Sequence, residues 1–302
     1  MKNKLIQIFC EVDDFCKQYE ENHRKFLVEN GKPVPTKEPG LWLSEMMTIM
    51  ILFHQGGFRN FKHFYMDYVC IHLKSDFPEL CSYQRFVSLM GRMLIPLVAF
   101  QLSRQKDKVT GISFIDSTIL AVCRNQRIHR HKVFKGLASR GKSSMGWFYG
   151  FKLHLIVNDK GEIISFVLSP GNVSDQDIKV CKNLTKNIWG KLFGDRGYIS
   201  QKLFNELFAN GVKLITRLRK NMKNKLMGLD EKLLLRKRSI IETINDQLKN
   251  ICQIEHTRHR SPINFLVNLT AGLIAYSFQA KKPSIYENVD NREPEFSALI
   301  QN

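Results

Sequence analysis

Near residue 110 the hydrophobic pattern of this chain changes period. Side chains return to one face of a helix every 3.6 residues and to one face of a strand every second residue. A chain that switches from the first pattern to the second must build a helical part and a sheet part from separate stretches. Upstream of the switch, residues 41–53 are continuously apolar-rich, with Met46, Met47 and Met50. A turn follows at Gly56-Gly57, and Phe58, Phe61, Phe64, Tyr65 and Tyr68 then recur at spacings of three and four. Pro78 ends that run, and Ser82 fits as the N-cap of a further helix reaching about Met93. Residues 82–92 suit either the recognition helix of a DNA-reading helix-turn-helix or part of a packing module.

Downstream, residues 112–122 and 148–157 read as strands, with Asn158-Asp159-Lys160-Gly161 turning the chain into a third at 163–168. Ser174 is placed to cap a helix to about Ile188, with Asp175 and Asp177 in its first turn. A short apolar stretch at 191–194 leads into Asp195-Arg196-Gly197-Tyr198. A helix at 201–210 with Gly211 behind it, a strand at 212–217, a long helix at about 230–257 and a last helix at 262–279 complete the order. Three antiparallel strands followed by alternating helices and strands is the order of the ribonuclease H-like α/β fold, a mixed sheet flanked by helices. The expected domains are 1–108, helical and a candidate DNA binder; 109–280, catalytic; and 281–302, a polar loose tail.

Charge narrows the partner. The 302 residues carry 46 Lys and Arg against 28 Asp and Glu, a net +18. The excess points to a polyanion, nucleic acid first and acidic lipid second. Residues 1–100 hold 12 basic and 11 acidic side chains, whereas 101–302 hold 34 and 17. The excess is therefore local, with peaks at 101–150 and 201–250. The apolar stretch 263–280 contains Asn264, Asn268 and Gln279 and is short for a bilayer, so a buried helix and no membrane partner are expected. The seven Cys form no C-x-x-C pair and are odd in number, which suits reduced thiols in a cytoplasmic protein rather than a zinc site.

Phosphodiester chemistry is commonly run by two divalent ions held on carboxylates. The signal to seek is a few acids isolated in basic, apolar surroundings. Asp116 sits inside the apolar strand Ser-Phe-Ile-Asp-Ser-Thr and is one of two acids in residues 101–150. A carboxylate there is costly unless paired, metal-bound or turned to a solvated edge. Asp195 follows Leu192-Phe193-Gly194, at the strand end where α/β folds place ligands, or is simply a turn residue before Gly197. Glu242 lies on the long helix, where Arg238, Glu242 and Lys249 form one polar stripe opposite Ile240, Ile244, Leu248 and Ile251. An ordinary i,i+4 ion pair between Arg238 and Glu242 explains the stripe equally well, and Asp246 is an alternative carboxylate. The connection from Val122 to Trp147 is too long for an ordinary hairpin loop. It holds Arg124, Arg127, Arg130, Lys132, Lys135, Arg140 and Lys142, with His129 and His131, and is expected to grip DNA and to order on binding. Trp147, Phe148 and Tyr149 are expected in the core at a strand start.

Taken together these residues resemble the catalytic domain of DDE transposases of bacterial insertion sequences. Arg238, Glu242 and Lys249, spaced Arg-(3)-Glu-(6)-Lys, are similar to the motif around the third acid of several such groups. Some of those groups have a Tyr three residues before the Arg, where this chain has Leu235. Ile115-Asp116-Ser117 and Gly194-Asp195-Arg196-Gly197-Tyr198 resemble the segments around the first two acids, and Ser169-Pro170-Gly171-Asn172-Val173-Ser174-Asp175 the loop between them. The helical third, with Gly57-Phe58-Arg59-Asn60-Phe61-Lys62-His63, looks most like the insertion-sequence 982 family. The resemblance implies that Asp116, Asp195 and Glu242 bind two Mg2+, with Mn2+ able to substitute. Water would cut at the element ends, and the freed 3′-hydroxyls would attack target DNA. Arg196, Arg238 and Lys249 would hold phosphates. It also implies double-stranded DNA as partner, through terminal inverted repeats and target, and a homodimer. A nuclease of the same fold that cuts without joining, and a non-catalytic DNA-binding remnant, are the alternatives.

Overall fold

The computed structural model describes all residues except 1, 35, 37–38, 145, 218–226, 256–258 and 286–302. The helical part begins with α1 (Lys2–Glu29) and α2 (Leu43–Gln55). Next come α3 (Phe61–His63), a π-turn (Phe64–Val69) and α4 (Cys70–His72), which continue one another. The aromatic repeat builds this run because Phe64 and Tyr65 are fully buried and the rings of Phe53, Phe58, Phe61 and Tyr68 pack around them. Ser82 does cap α5 (Tyr83–Leu89), accepting from the Arg85 N–H at 3.3 Å. A 3-10 turn then joins α5 to α6 (Leu94–Gln105). The run Tyr83–Gln105 is long and apolar enough to cross a membrane by composition, but here it buries Phe86, Met90, Met93, Leu97 and Phe100 in the helical core.

Among the described residues the sheet has six strands. They are β1 (Ile112–Cys123), β2 (Ser139–Ser143), β3 (Gly146–Asn158), β4 (Ile163–Pro170), β5 (Gly190–Gly194) and β6 (Val212–Thr216). β1 pairs antiparallel with β3, and β3 with β4; β5 runs parallel to β1, and β6 parallel to β5. The spatial order β4-β3-β1-β5-β6 is that of a ribonuclease H-like domain. α7 (Ile178–Thr185) and α8 (Gln201–Ala209) cover one face around Ile115, Ile156 and Leu192. α9 (Leu229–Arg236), α10 (Ser239–Asn250) and α11 (Pro262–Ser277) cover the other around Phe114, Leu155 and Phe193.

α11 serves two cores at once. Phe265, Leu269, Leu273 and Tyr276 pack toward the sheet, whereas Val267, Ala271, Ile274 and Ala275 pack among the N-terminal helices. His54 of α2 reinforces the junction through its Nδ1, 2.5 Å from the Cys252 carbonyl just beyond α10. Burial holds this imidazole neutral, at about 4, so Nδ1–H donates to that carbonyl.

Five expectations need correction. The helix expected from Ser174 starts later, with Asp177 as its cap, because Asp175 is drawn away by Ser117 and Lys152. The long helix expected at 230–257 is two helices, α9 and α10, broken at Lys237–Arg238. They pack on different strands, α9 on β5 and β6 and α10 on β1, so one straight rod cannot serve both. The basic connection is folded without a partner: it holds a 3-10 turn (Asn125–Arg130), the anchor Phe134 and strand β2, which pairs with β3. Within it Trp147 is 63 % exposed rather than in the core, while its neighbour Phe148 is buried as strand alternation requires. The first residues of the expected tail are docked, with Ile285 N–H donating to the Asp159 carbonyl at 3.0 Å. Residues 286–302 lie outside the described residues.

Candidate active site

Asp116 is placed by strand alternation. It points to the same face of β1 as Phe114 and Leu120, toward α10. The β1–β5 register then places the second acid. Ile112 lies opposite Lys191 and Phe114 opposite Phe193, so two residues further Asp195 comes level with Asp116 at the C-terminal end of β5. Asp195 closes its own turn, accepting the Gly197 N–H on Oδ1 at 2.7 Å. A Cβ at position 197 would stand 2.8 Å from that oxygen, so a larger residue there would displace the carboxylate.

α10 brings the third acid. Its apolar stripe of Ile240, Ile244 and Leu248 is buried on the sheet, which leaves Glu242 at the rim with 54 % of its side chain exposed. Arg238, the residue before the helix, forms the ion pair with Glu242 that the i,i+4 spacing allows. Asp246, the alternative acid, is exposed and accepts a hydrogen bond from Asn250.

The electrostatics tie the group together. Burial pushes the Asp116 carboxyl up to about 6. The Arg238 guanidinium and the Ser117 N–H counter that rise, and the charges of Asp195 and Glu242 add to it. Asp116 thus senses Asp195, Glu242 and Arg238 together, four side chains from three elements.

Two further residues complete the surroundings; Asn245 gave no signal in the sequence, and Tyr198 stood there only as the end of the Asp195-Arg196-Gly197-Tyr198 segment. Asn245, one turn after Glu242, donates Nδ2–H to Asp116 Oδ2 at 3.0 Å, and its Oδ1 is buried without a partner among the described residues. Tyr198 is fully buried, and its hydroxyl likewise has no partner among them. Burial, with the charges of Asp175, Asp116 and Asp195, keeps that phenol protonated. On the opposite face of β1, Ser117 Oγ donates to Asp175 Oδ1 at 2.8 Å, and Lys152 Nζ approaches the same oxygen at 3.1 Å. The residue next to Asp116 is therefore anchored from behind.

Other candidates lie elsewhere. Lys249 pairs with Glu255 at 3.2 Å, and Glu255 also accepts the Ala121 N–H at 3.0 Å. This ties Lys249 to the bulged far end of β1. Arg196 is exposed beside Asp195. Arg124, Arg127, Arg130, Lys132, Lys135, Arg140 and Lys142 are all exposed beyond the end of β1. Seven strand residues separate Asp116 from Cys123, roughly 23 Å. Arg219, Lys220, Lys223 and Lys225 of the second basic block lie outside the described residues.

The donor chemistry at Asp116, Asp195 and Glu242 is carboxylate oxygen, which suits Mg2+ or Mn2+. The raised Asp116 carboxyl marks a buried negative charge that the nearby cations leave undercompensated, which a divalent ion would offset. Among the described residues no three His, Cys, Asp or Glu already converge as a metal cage. Glu242 is instead engaged by Arg238.

No curated protein matches the sequence. Among solved structures the chain is similar to the piggyBac transposase in a cryo-EM structure of its synaptic complex with hairpin DNA. The TM-score is 0.46 at 10 % identity, covering 90 % of this chain and 71 % of that one. The profile of the transposase DDE domain matches residues 106–262, a span that holds β1, β5, α10 and all three acids. That match takes in just over half of the sequence, and the chain belongs to the transposase DDE-domain family.

Proposed function

We propose that this chain is the transposase of a bacterial insertion sequence of the insertion-sequence 982 kind. It acts in the cytoplasm, cutting at its element's ends and joining the freed 3′-hydroxyls to target DNA. The observation that carries this reading is the grouping of Asp195, Glu242 and Arg238 around one half-buried carboxylate, Asp116. Asp116, Asp195 and Glu242 would hold two Mg2+, or Mn2+ in their place. When bound, such ions activate the attacking oxygen and stabilise the leaving one.

The remaining work falls to the chain's own residues. Asn245 and the Ser117–Asp175–Lys152 anchor hold Asp116 in one orientation from both faces of the sheet. Gly197 lets Asp195 close its turn at the strand end. Arg238, freed when Glu242 turns inward, offers a planar fork to a phosphate beside the site. The exposed cations beyond β1 hold the same duplex about two-thirds of a helical turn away, which keeps the scissile phosphate in register. Two ends must be brought together, so a homodimer is part of the proposal.

The test is a strand-cleavage and strand-transfer assay. It uses the full chain, duplexes carrying the inverted repeats that flank its gene, a target plasmid and Mg2+ or Mn2+. Cleavage with joining, lost in Asp116→Asn, Asp195→Asn and Glu242→Gln, supports the proposal. Cutting without joining selects the nuclease reading. Binding of the repeats without any cutting selects the non-catalytic one.

A further inference from the structure

β1 overruns its parallel neighbour. β5 pairs with Ile112, Ser113 and Phe114 only, whereas β1 continues to Cys123. The backbone groups of successive strand residues point to opposite edges. Gly111 offers its carbonyl to the Lys191 N–H on the β5 side at 2.8 Å, so Ser117 and Ala121 face that side too. Among the described residues no strand pairs with this edge of β1 beyond Phe114. Its N–H groups therefore need other acceptors. The Asp116 carboxylate takes the Ser117 N–H, and Glu255 Oε1 takes the Ala121 N–H at 3.0 Å. Glu255 thus stands in for a missing strand, further along the edge that carries Asp116.

The chain beyond α10 is shaped to aim Glu255 there. Cys252 N–H returns to the Gln247 carbonyl and Ile254 N–H to that of Leu248, at 3.0 and 3.1 Å. Gln253 joins them with a left-handed φ of 50°. Ile254 is fully buried against Gly272 of α11, where a Cβ would stand 2.4 Å from the Ile254 Cγ2 and displace it. Glu255 follows directly and is turned back toward β1. Lys249, in the last turn of α10, completes the link, its Nζ 3.2 Å from Glu255 Oε2. The two side chains are only 25 % and 30 % exposed, so solvent and salt screen this pair less than one on the open surface.

α10 is therefore fastened to β1 twice. Asn245 reaches Asp116, and one turn later Lys249 reaches Ala121 through Glu255. A single fastening would let the helix pivot about Asn245; the second fixes its angle, and with it the place of Glu242 one turn the other way. We infer that Glu255 is a positioning residue for the three acids, and that Lys249 serves this strut rather than a DNA phosphate. The inference deepens the proposed function and rests on that reading for the reaction whose rate it sets.

The test measures single-turnover strand cleavage at saturating DNA beside an anisotropy titration at several salt concentrations, on the full chain. Glu255→Ala should slow cleavage about 10- to 100-fold with affinity unchanged, as a small misplacement of the reacting groups does. Glu255→Gln keeps an oxygen for the Ala121 N–H and should recover most of that loss. Lys249→Met should slow cleavage several-fold and leave the slope of log K against log salt unchanged, whereas losing a phosphate contact would reduce it by about 0.9. Amide exchange at Ala121, followed without DNA or metal, should quicken in Glu255→Ala and stay near the wild type in Glu255→Gln. Wild-type cleavage in Glu255→Ala, no recovery in Glu255→Gln, or a slope reduced by about 0.9 in Lys249→Met overturns the inference. Should Glu255→Ala fail to fold, the rate and slope of Lys249→Met decide alone. A wild type that binds the repeats and never cuts defeats the proposed function and this inference with it. A wild type that cuts no faster than Glu255→Ala defeats the inference alone.

Discussion

Asn245 hands its amide N–H to Asp116 across the sheet–helix boundary, 3.0 Å from Nδ2 to Oδ2. One turn of α10 therefore carries both a rim acid, Glu242, and the residue that orients the buried one. Asn245→Ala should lower the rate of strand cleavage by about 10- to 100-fold, as loss of supporting contacts around a metal ligand does. Affinity for the terminal duplex should stay unchanged. The readout is single-turnover cleavage beside an equilibrium binding titration. Wild-type cleavage in Asn245→Ala would remove its positioning role.

Asp116 makes stability depend on pH. Its folded value of about 6 lies above the ordinary 3.8, so the folded state holds the proton more tightly. The penalty for an ionised Asp116 is absent below about pH 4 and complete above about pH 6, and stability falls between them. Two units correspond to on the order of 3 kcal/mol. Asp116→Asn should therefore gain stability over the wild type at pH 7.5, and much less at pH 4.5, in urea unfolding. Ca2+ at pH 7.5 should raise the wild-type melting temperature and leave that variant unmoved. An equal difference between the two proteins at both pH values would show that the carboxyl titrates normally.

Gly197 is held to its size by Asp195. A Cβ there meets Oδ1 at 2.8 Å, so Gly197→Ala should turn the carboxylate away. A displacement of that order costs about a hundredfold in rate. The melting temperature should move by only a few degrees, because the turn is at the surface edge of the sheet. Full cleavage activity in this variant would mean that the turn does not set the acid's position.

The folded basic hairpin should act as one DNA-gripping unit. None of Arg124, Arg127, Arg140 and Lys142 forms an ion pair with a described residue, and Lys142 Nζ stands 5.8 Å from the centre of the exposed Trp147 ring. Each Ala replacement that removes a phosphate contact should reduce the slope of log K against log salt by about 0.9. Trp147→Ala should weaken binding with the slope unchanged, since it removes stacking rather than charge. Fluorescence anisotropy at several salt concentrations separates the two effects, and unaltered slopes in the Arg variants would place the duplex elsewhere.

Much of this layout was legible because it follows from local periodicity. Asp116 stands out as a charge in an apolar strand, and the change of period near residue 110 marks where the sheet begins. Three features were hidden by long-range contacts. Ser174 has the right place for a helix cap with Asp175 in the first turn, but Ser117, 58 residues from Asp175 in sequence, claims that carboxylate and the helix waits for Asp177. The apolar stripe runs through 230–251 without a visible break, although α9 and α10 pack on different strands. Asn245 lies among buried Ile241, Ile244 and Leu248, where an amide looks like an ordinary interior polar residue until its partner across the sheet is known.

The shared helix α11 sets an order of events on the ribosome. The N-terminal helices are made first, yet their core lacks Val267, Ala271, Ile274 and Ala275 until α11 has been synthesised, more than 150 residues after α6. Gln55 Nε2 reaches the Ala275 carbonyl at 3.1 Å across 220 residues of chain. A chain that stops before α11 therefore leaves both cores short of the side chains that this one helix supplies, so neither half can close until α11 has been made.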